Sequence, residues 1–371
     1  MGNTVRSPGE QWAQSYTNNP SWEDYYSGEY DDLTVLANAQ PCRPVVVQSF
    51  LRVFVPVLYS LVLLLGVAGN GMVMAVIGRS RGRTATDTFL LHLAASDLLL
   101  ALTLPFWSAE AVSGWHAGIA LCKVVGAVFA LNLYSGILLL VCISFDRYLA
   151  IVHAVHMYRR RRPVYVHATC AAVWLFCTLL AGVDLVFRGE FTSGYLNGTV
   201  CTYIFPTQGS GGWKLALRLA HQLVGFALPL AVMVYCYSRI FRSLCRVQRF
   251  ERQKTLRVVV VVVAVFLGCW APYNALLLAD TLEWLGAIRP SCSLANGLDI
   301  GRSVTQSLGL LHSCLNPLLY AFVGVRFRRE MAGLLGRLGC PGVSRRTRQV
   351  SRGKRGSSGT SDTSTTYSTL W

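Results

Sequence analysis

Residues 53–77 read VFVPVLYSLVLLLGVAGNGMVMAVI, without one charged side chain. A helix crosses the hydrocarbon core of a bilayer in roughly 20 apolar residues, so this stretch is long enough to span it. Five more uncharged stretches follow, at residues 124–145, 163–183, 219–238, 258–279 and 303–325. A seventh, residues 88–109, is interrupted by a single acid, Asp97. Short runs such as 61–65 or 258–263 could each be a buried strand, but seven blocks of about 20 residues in succession leave no room for that reading. The expected fold is an all-α membrane protein, a seven-transmembrane helix bundle.

Composition agrees. The chain is 53% hydrophobic and 14% charged, against about a quarter charged in soluble domains, which argues against an ordinary cytosolic enzyme. The net charge of +16 would suggest nucleic acid if it formed one patch; its distribution says otherwise. With the N-terminus outside, the inner connections hold Arg79, Arg81 and Arg83, then Arg159 to Arg162, then seven Lys and Arg over residues 239–257, and ten more after Val325. Those are 24 of the 34 basic residues, with nine on the outer side. Cytoplasmic connections carry the excess of Lys and Arg, so the C-terminus is expected inside, and no nucleic acid is expected as a partner.

Four segments result: an extracellular tail over 1–48, the bundle over 49–323, a juxtamembrane segment over 324–339 and a tail over 340–371. The first 48 residues lack the apolar core of a cleavable signal, so the first helix is expected to act as its own insertion signal. Residues 1–41 carry six acids against Arg6 alone, with few aliphatic side chains, a composition that favours disorder. In 324–339, Phe327, Met331, Leu334, Leu335 and Leu338 share one helical face while Arg328, Arg329 and Arg337 lie elsewhere. That pattern suits a short amphipathic helix on the inner membrane surface. Cys340 follows it as a candidate for palmitoylation, and 13 Ser and Thr over 344–371 would turn a basic arm acidic on phosphorylation.

Of the twelve cysteines, Cys42, Cys122, Cys201 and Cys292 fall on the outer side, where oxidation permits bonds. Four cysteines allow three pairings; Cys122–Cys201 with Cys42–Cys292 would pin the second outer loop over the bundle and close the ring of helices. Asn197-Gly198-Thr199 is a glycosylation acceptor. Asn19-Pro20-Ser21 is disqualified by its proline.

Polar and helix-breaking residues recur once per helix. Asp146-Arg147-Tyr148 ends the third helix, and a charged pair there needs a polar interior or partner. The fifth helix has Pro229 and Tyr237, the sixth Cys269-Trp270-Ala271-Pro272, and the seventh Asn316-Pro317-Leu318-Leu319-Tyr320. Prolines at these depths weaken the backbone ladder and mark kinks. Asn70, Asp97 and Asn316 add a polar middle.

In order and placement, these motifs resemble the rhodopsin-like (class A) family of G protein-coupled receptors, over about residues 45–340. Thr103-Leu104-Pro105, the four outer cysteines and the acidic, tyrosine-bearing N-terminus look like its chemokine receptors. The runs at 87–94, 144–149 and 316–325 look like their CXC branch. The resemblance implies a plasma-membrane receptor for a CXC chemokine, of the interferon-induced kind. It also implies signalling through the inhibitory class of heterotrimeric G protein to leukocyte chemotaxis and calcium mobilisation, with receptor kinases and arrestin at the tail. No cofactor and no enzymatic activity are expected: no nucleophile–base pair or metal-spaced cluster stands out.

Residue by residue, the resemblance makes Tyr25, Tyr26 and Tyr30 candidates for sulfation, beside Asp31 and Asp32, as a strip for a basic chemokine. Acids near the outer helix ends are Glu110, Asp184, Asp280 and Asp299. Left unpaired beside a membrane cavity they would want a cation, from the ligand or from a neighbour such as Arg302. Trp107, Phe129, Trp270 and Tyr273 are expected to floor the cavity. Arg147 is expected to pair with Asp146 at rest and to be released toward Tyr237, Tyr320, the G protein and the anionic membrane lipids, with Tyr148 completing the motif. Trp270 would relay changes to Pro272, with Asp97, Asn316 and Pro317 in the polar core. An atypical receptor that internalises ligand without G protein activation is the alternative. The intact run Asp146 to Val152 argues against it.

The chain departs from the family pattern at four positions. Gly136 stands where many relatives have a serine that ligates an allosteric sodium ion near Asp97, putting that ion in doubt unless Asn132 and His312 compensate. Val183 replaces a proline before Asp184. Leu310 replaces a tyrosine, and Gln306 stands where many CXC receptors have glutamate; both put small-ligand and chemokine preference in doubt.

Overall fold

The computed structural model describes residues 45–79, 83–153, 163–193, 198–206, 210–245, 250–289, 291–323 and 331. The expectations for Tyr25, Tyr26, Tyr30, Asp31, Asp32, Cys42, Asn197 and Cys340 lie outside the described residues. So do those for the tail and for the amphipathic segment apart from Met331, and the side chains of Cys292 and Tyr320.

Among the described residues, seven long helices follow one another. They are α1 (Val45–Arg79), α2 (Ala85–Ser113), α3 (Ile119–Val152) and α4 (Pro163–Phe187), then α5, α6 (Phe250–Trp284) and α7 (Cys292–Val323). Helix α5 has two α-helical parts, Ser210–Gln222 and Leu228–Cys245, joined by a π-helical turn at Leu223–Ala227. There the Leu228 N–H reaches back five residues to the Leu223 carbonyl. Each helix outruns the apolar block that announces it. Inside lipid a helix satisfies all its own backbone groups, and nothing obliges it to stop where the hydrocarbon ends. Among the described residues, six helices are long and apolar enough to cross a membrane. Helix α7 is 32 residues long but more polar, because Ser307, His312, Ser313 and Asn316 line its buried face.

The bundle inverts the pattern of a soluble domain. Val57, Leu64, Leu102, Val164, Leu175, Leu179 and Phe241 point outward and are exposed, while Asn70, Asp97, Asn132, Ser135 and Asn316 are buried. With hydrocarbon as solvent, apolar side chains gain little by turning inward, and polar ones find partners only there. Helix α1 packs on α2 and α7, α3 on α2, α4, α5 and α6, and α6 on α7. Between them Leu100, Leu104, Ile137, Leu140, Phe266, Trp270 and Leu310 form the apolar centre.

Local signals set several of the ends. Thr84 caps α2: its hydroxyl accepts from the Asp87 N–H at 3.1 Å, and the Asp87 carboxylate accepts from the Thr84 N–H at 2.9 Å. This reciprocal pair satisfies two of the helix's orphan donors. Gly114 ends α2 at φ 87°, a conformation that suits glycine. A Cβ there would also lie 3.0 Å from the Thr199 carbonyl.

A two-stranded antiparallel hairpin, β1 (Arg188–Ser193) and β2 (Gly198–Tyr203), follows α4 directly. The sequence reading did not anticipate it. It lies across one end of the bundle, with the Trp115 N–H donating to the Thr199 carbonyl at 2.6 Å. Cys201, facing Glu190 in the register, is disulfide-bonded to Cys122 in the first turn of α3, with Cα atoms 5.6 Å apart.

Candidate functional site: two ends and a polar core

At the hairpin end, four carboxylates named from the sequence each have a partner within the chain. The Glu110 Oε1 accepts from the Cys201 N–H at 2.6 Å, tying α2 to β2. Asp184 Oδ1 accepts from Arg188 Nε at 2.6 Å and from the Tyr203 hydroxyl at 2.8 Å. Asp280 Oδ2 bridges two cations, Arg218 Nη2 at 2.5 Å and Arg302 Nη1 at 2.6 Å. Asp299 lies 3.5 Å from the same Arg302. Of the two sources the sequence left open, a ligand or a neighbour such as Arg302, the chain supplies the neighbour: Arg188 for Asp184, and Arg218 and Arg302 for Asp280 and Asp299.

Trp107, Phe129, Trp270 and Tyr273 all belong to one core cluster, in two sets of ring contacts. Trp107 meets Phe129 edge-on at 6.2 Å and Trp115 at 5.9 Å. Deeper and nearer α6, Tyr273 meets Trp270 at 5.7 Å and His221 at 5.7 Å, both near perpendicular. Edge-to-face geometry of this kind places a positive ring edge on a negative face. Gln306 is half-buried on α7.

Mid-bundle, Asp97 is fully enclosed. Its Oδ1 accepts from Asn132 Nδ2 at 3.1 Å and its Oδ2 from Asn316 Nδ2 at 3.2 Å. His312 Nε2 stands 3.8 Å from Oδ1. Ser96 and Ser135 hydroxyls are 2.6 Å apart, and Asn70 Nδ2 donates to the Ser313 carbonyl at 2.8 Å. A Cβ at Gly136 would lie 3.7 Å from Phe266 and 3.8 Å from His312 Nε2, so the imidazole borders the space a serine side chain would enter. The sodium ion implied by the resemblance fits these residues poorly. Hard cations take oxygen ligands, whereas Asp97 is ringed by two amide N–H donors and an imidazole nitrogen.

At the opposite end, Arg147 Nη2 lies 3.5 Å from Asp146 Oδ2. Its Nε donates to Thr86 Oγ1 of α2 at 3.1 Å, and its Nη2 donates to the same hydroxyl. Thr86 in turn donates to Asp146 Oδ2 at 3.3 Å. Tyr237 of α5 shares a 3.0 Å hydrogen bond with Ser144 of α3, and Tyr148 one of 3.1 Å with His153. The motif at the end of α3 is thus closed onto α2, and its two neighbouring tyrosines are tethered locally.

The chain matches the family model described as 7 transmembrane receptor (rhodopsin family) over residues 69–320. It belongs to the rhodopsin family of seven-transmembrane receptors. It is 50% identical over 302 residues to the C-X-C chemokine receptor type 3 of Bos taurus, covering 81% of each chain. It is 49% identical over 319 residues to that of Homo sapiens, covering 86% of this chain and 85% of the relative. The C-X-C chemokine receptor type 5 of Homo sapiens is 42% identical over 327 residues, covering 86% and 88%. The receptor therefore sits in the chemokine branch of that family, a multi-pass membrane family and not an enzymatic one.

Four residues that hold the receptor's sites together were not singled out by sequence reasoning. Thr86 adjoins the run at 87–94 that carries the resemblance, so its proximity to a motif was the available signal. Arg188 and Arg218 were counted among the outer cations only as part of the charge balance. Tyr203 follows Cys201 by two, which places it on the same face of β2.

Proposed function

We propose that this receptor binds a basic CXC chemokine at its hairpin end, which faces outward. It would respond by activating the inhibitory class of heterotrimeric G protein at the opposite end, leading to leukocyte chemotaxis and calcium mobilisation. The observation that carries the reading is the likeness of about half identity over four-fifths of the chain to receptors named for C-X-C chemokines. The excess of Lys and Arg on the connections opposite the hairpin supports the orientation. The acidic strip around Tyr25, Tyr26, Tyr30, Asp31 and Asp32 would meet the ligand first and set its register. The ligand's N-terminus would then compete for Glu110, Asp184, Asp280 and Asp299, over Trp107, Phe129, Tyr273 and Gln306.

Signalling is a population shift, favoured because ligand binds the active arrangement better. The closed Asp146–Arg147–Thr86 triangle supports assigning a resting state to these residues. In the active state Arg147 leaves it for Tyr237, Tyr320 and the G protein, while Trp270 swings on the helix weakened at Pro272. Receptor kinases and arrestin act at the tail, the amphipathic segment and Cys340 anchor it to inner-leaflet lipid, and Asn197 carries a glycan.

G protein dissociation in cells expressing the receptor, measured across CXC and CC chemokines with internalisation recorded in parallel, tests this. Dissociation of the inhibitory G protein by interferon-induced CXC chemokines is expected. Uptake without dissociation would replace it with a scavenging role.

A further inference from the structure

The hairpin end holds a cation of the chain's own in an unusual place. Arg188 opens β1 and lays its side chain back over α3 instead of into solvent. Its guanidinium carbon is 4.6 Å from the ring centroid of Tyr203 and 5.4 Å from that of Trp107. Nε donates to Asp184 at 2.6 Å, and Nη1 reaches the Cys201 carbonyl at 3.5 Å. Beneath it lies Gly126 of α3, where a Cβ would overlap Cδ and Nε of the arginine. No residue with a side chain leaves that room. The wall also carries a spare donor: Trp107 Nε1 is buried and has no hydrogen-bond acceptor among the described residues.

Two aromatic faces, one carboxylate and a shallow cradle are the elements that recognise a guanidinium. The group is planar, weakly hydrated and stacks on rings, which an ammonium does less well. A purely structural ion pair between residues four apart would need neither the second ring nor the glycine. We infer that Trp107, Tyr203 and Asp184, over Gly126, form a guanidinium seat for an arginine side chain of the ligand, and that Arg188 occupies this seat until the ligand's arginine takes it. The inference rests on the chemokine reading for the ligand's chemistry. Binding is then an exchange of one guanidinium for another. Apparent affinity falls by the fraction of time the seat is open, so Arg188 sets the threshold for ligands and favours those that present arginine rather than lysine.

The test uses full-length receptor in cell membranes and a labelled, interferon-induced CXC chemokine, intact and lacking its flexible N-terminal residues. Arg188→Leu is expected to tighten binding of the intact probe roughly tenfold and to leave the truncated probe unchanged. In an Asp184→Asn background the same substitution should have no effect, because the two positions act as one unit. Removing the cation strands a buried carboxylate, so Arg188→Gln provides a gentler eviction and should shift affinity in the same direction, whereas Gly126→Ala fills the seat against either guanidinium and should not tighten binding. Equal or weaker binding by both Arg188 variants at normal surface level would overturn the seat, as would tighter binding by Gly126→Ala, and so would absence of both Arg188 variants from the surface, which would make Arg188 a structural residue. A wild-type receptor that binds no chemokine in the panel would instead overturn the reading on which the inference rests.

Discussion

Trp270 Nε1 lies 3.2 Å from His312 Nδ1, and the other nitrogen of the same ring faces Asp97 at 3.8 Å. One side chain thus stands between Trp270 and the polar core. The bridge depends on the tautomer. With the proton on Nε2, the ring accepts from Trp270 and directs its N–H at Asp97; with it on Nδ1, the ring donates to the Gly309 carbonyl 2.7 Å away and Trp270 loses its acceptor. The choice of tautomer therefore decides whether Trp270 keeps its acceptor.

His312→Phe keeps a planar ring and removes both nitrogens. Chemokine affinity should be unchanged, while the concentration for half-maximal G protein dissociation should rise about fivefold, the equivalent of roughly one hydrogen bond. An unaltered dose–response curve at matched expression would mean that Trp270 acts without His312.

Thr86 holds Arg147 from across the helix interface, so Thr86→Ala should loosen the resting triangle without touching the charged pair. Ligand-independent G protein signalling should rise about three- to tenfold, since hydrogen bonds to charged groups contribute about 1.5–3 kcal/mol when buried and Arg147 keeps part of its exposure. Arg147→Ala should abolish activation and preserve binding. Basal signalling in Thr86→Ala equal to that of the wild type would sink the proposed lock.

Asp280 separates two arginines at 2.5 and 2.6 Å. In Asp280→Ala those cations would face one another, and melting of the detergent-solubilised receptor should fall by the equivalent of about 1–3 kcal/mol, below the 3–5 kcal/mol of a fully buried pair. Asp280→Asn should be milder. No change in either would show that solvent already screens the cluster.

Cys122–Cys201 closes a loop of 79 residues in sequence separation. Such a cross-link contributes about 2–4 kcal/mol and here also fixes the hairpin to the end of α3. Cys201→Ser should abolish chemokine binding even where surface receptor persists. Retained affinity would mean that the Trp115–Thr199 and Glu110–Cys201 backbone contacts suffice to hold the hairpin.

The bundle was legible in the sequence because hydrocarbon imposes a length and a charge rule on every crossing, and only Asp97 broke it. Helix ends were not, since residues 250–257 of α6 and 292–302 of α7 carry charges yet open their helices ahead of the apolar blocks. The hairpin was illegible: Arg188–Ser193 is six residues of RGEFTS, without the alternation that marks a strand, and its place is set by a disulfide from α3. The acids at the hairpin end could be named from their position near helix ends. Their partners could not, because Arg188–Asp184 depends on room left by Gly126, and Arg218–Asp280 depends on the phase of α5.

That phase has a source. The turn at Leu223–Ala227 holds one more residue than an α-helical turn, and each residue of an α-helix advances its side chains by about 100°. Deleting any one residue of this turn would restore an unbroken α-helix and rotate everything before it: Arg218 would leave Asp280, and His221 would leave Tyr273. Which partners these two side chains meet is therefore set by an insertion in the chain, and two receptors identical at positions 218 and 221 would bring different groups together if only one of them carried the extra residue.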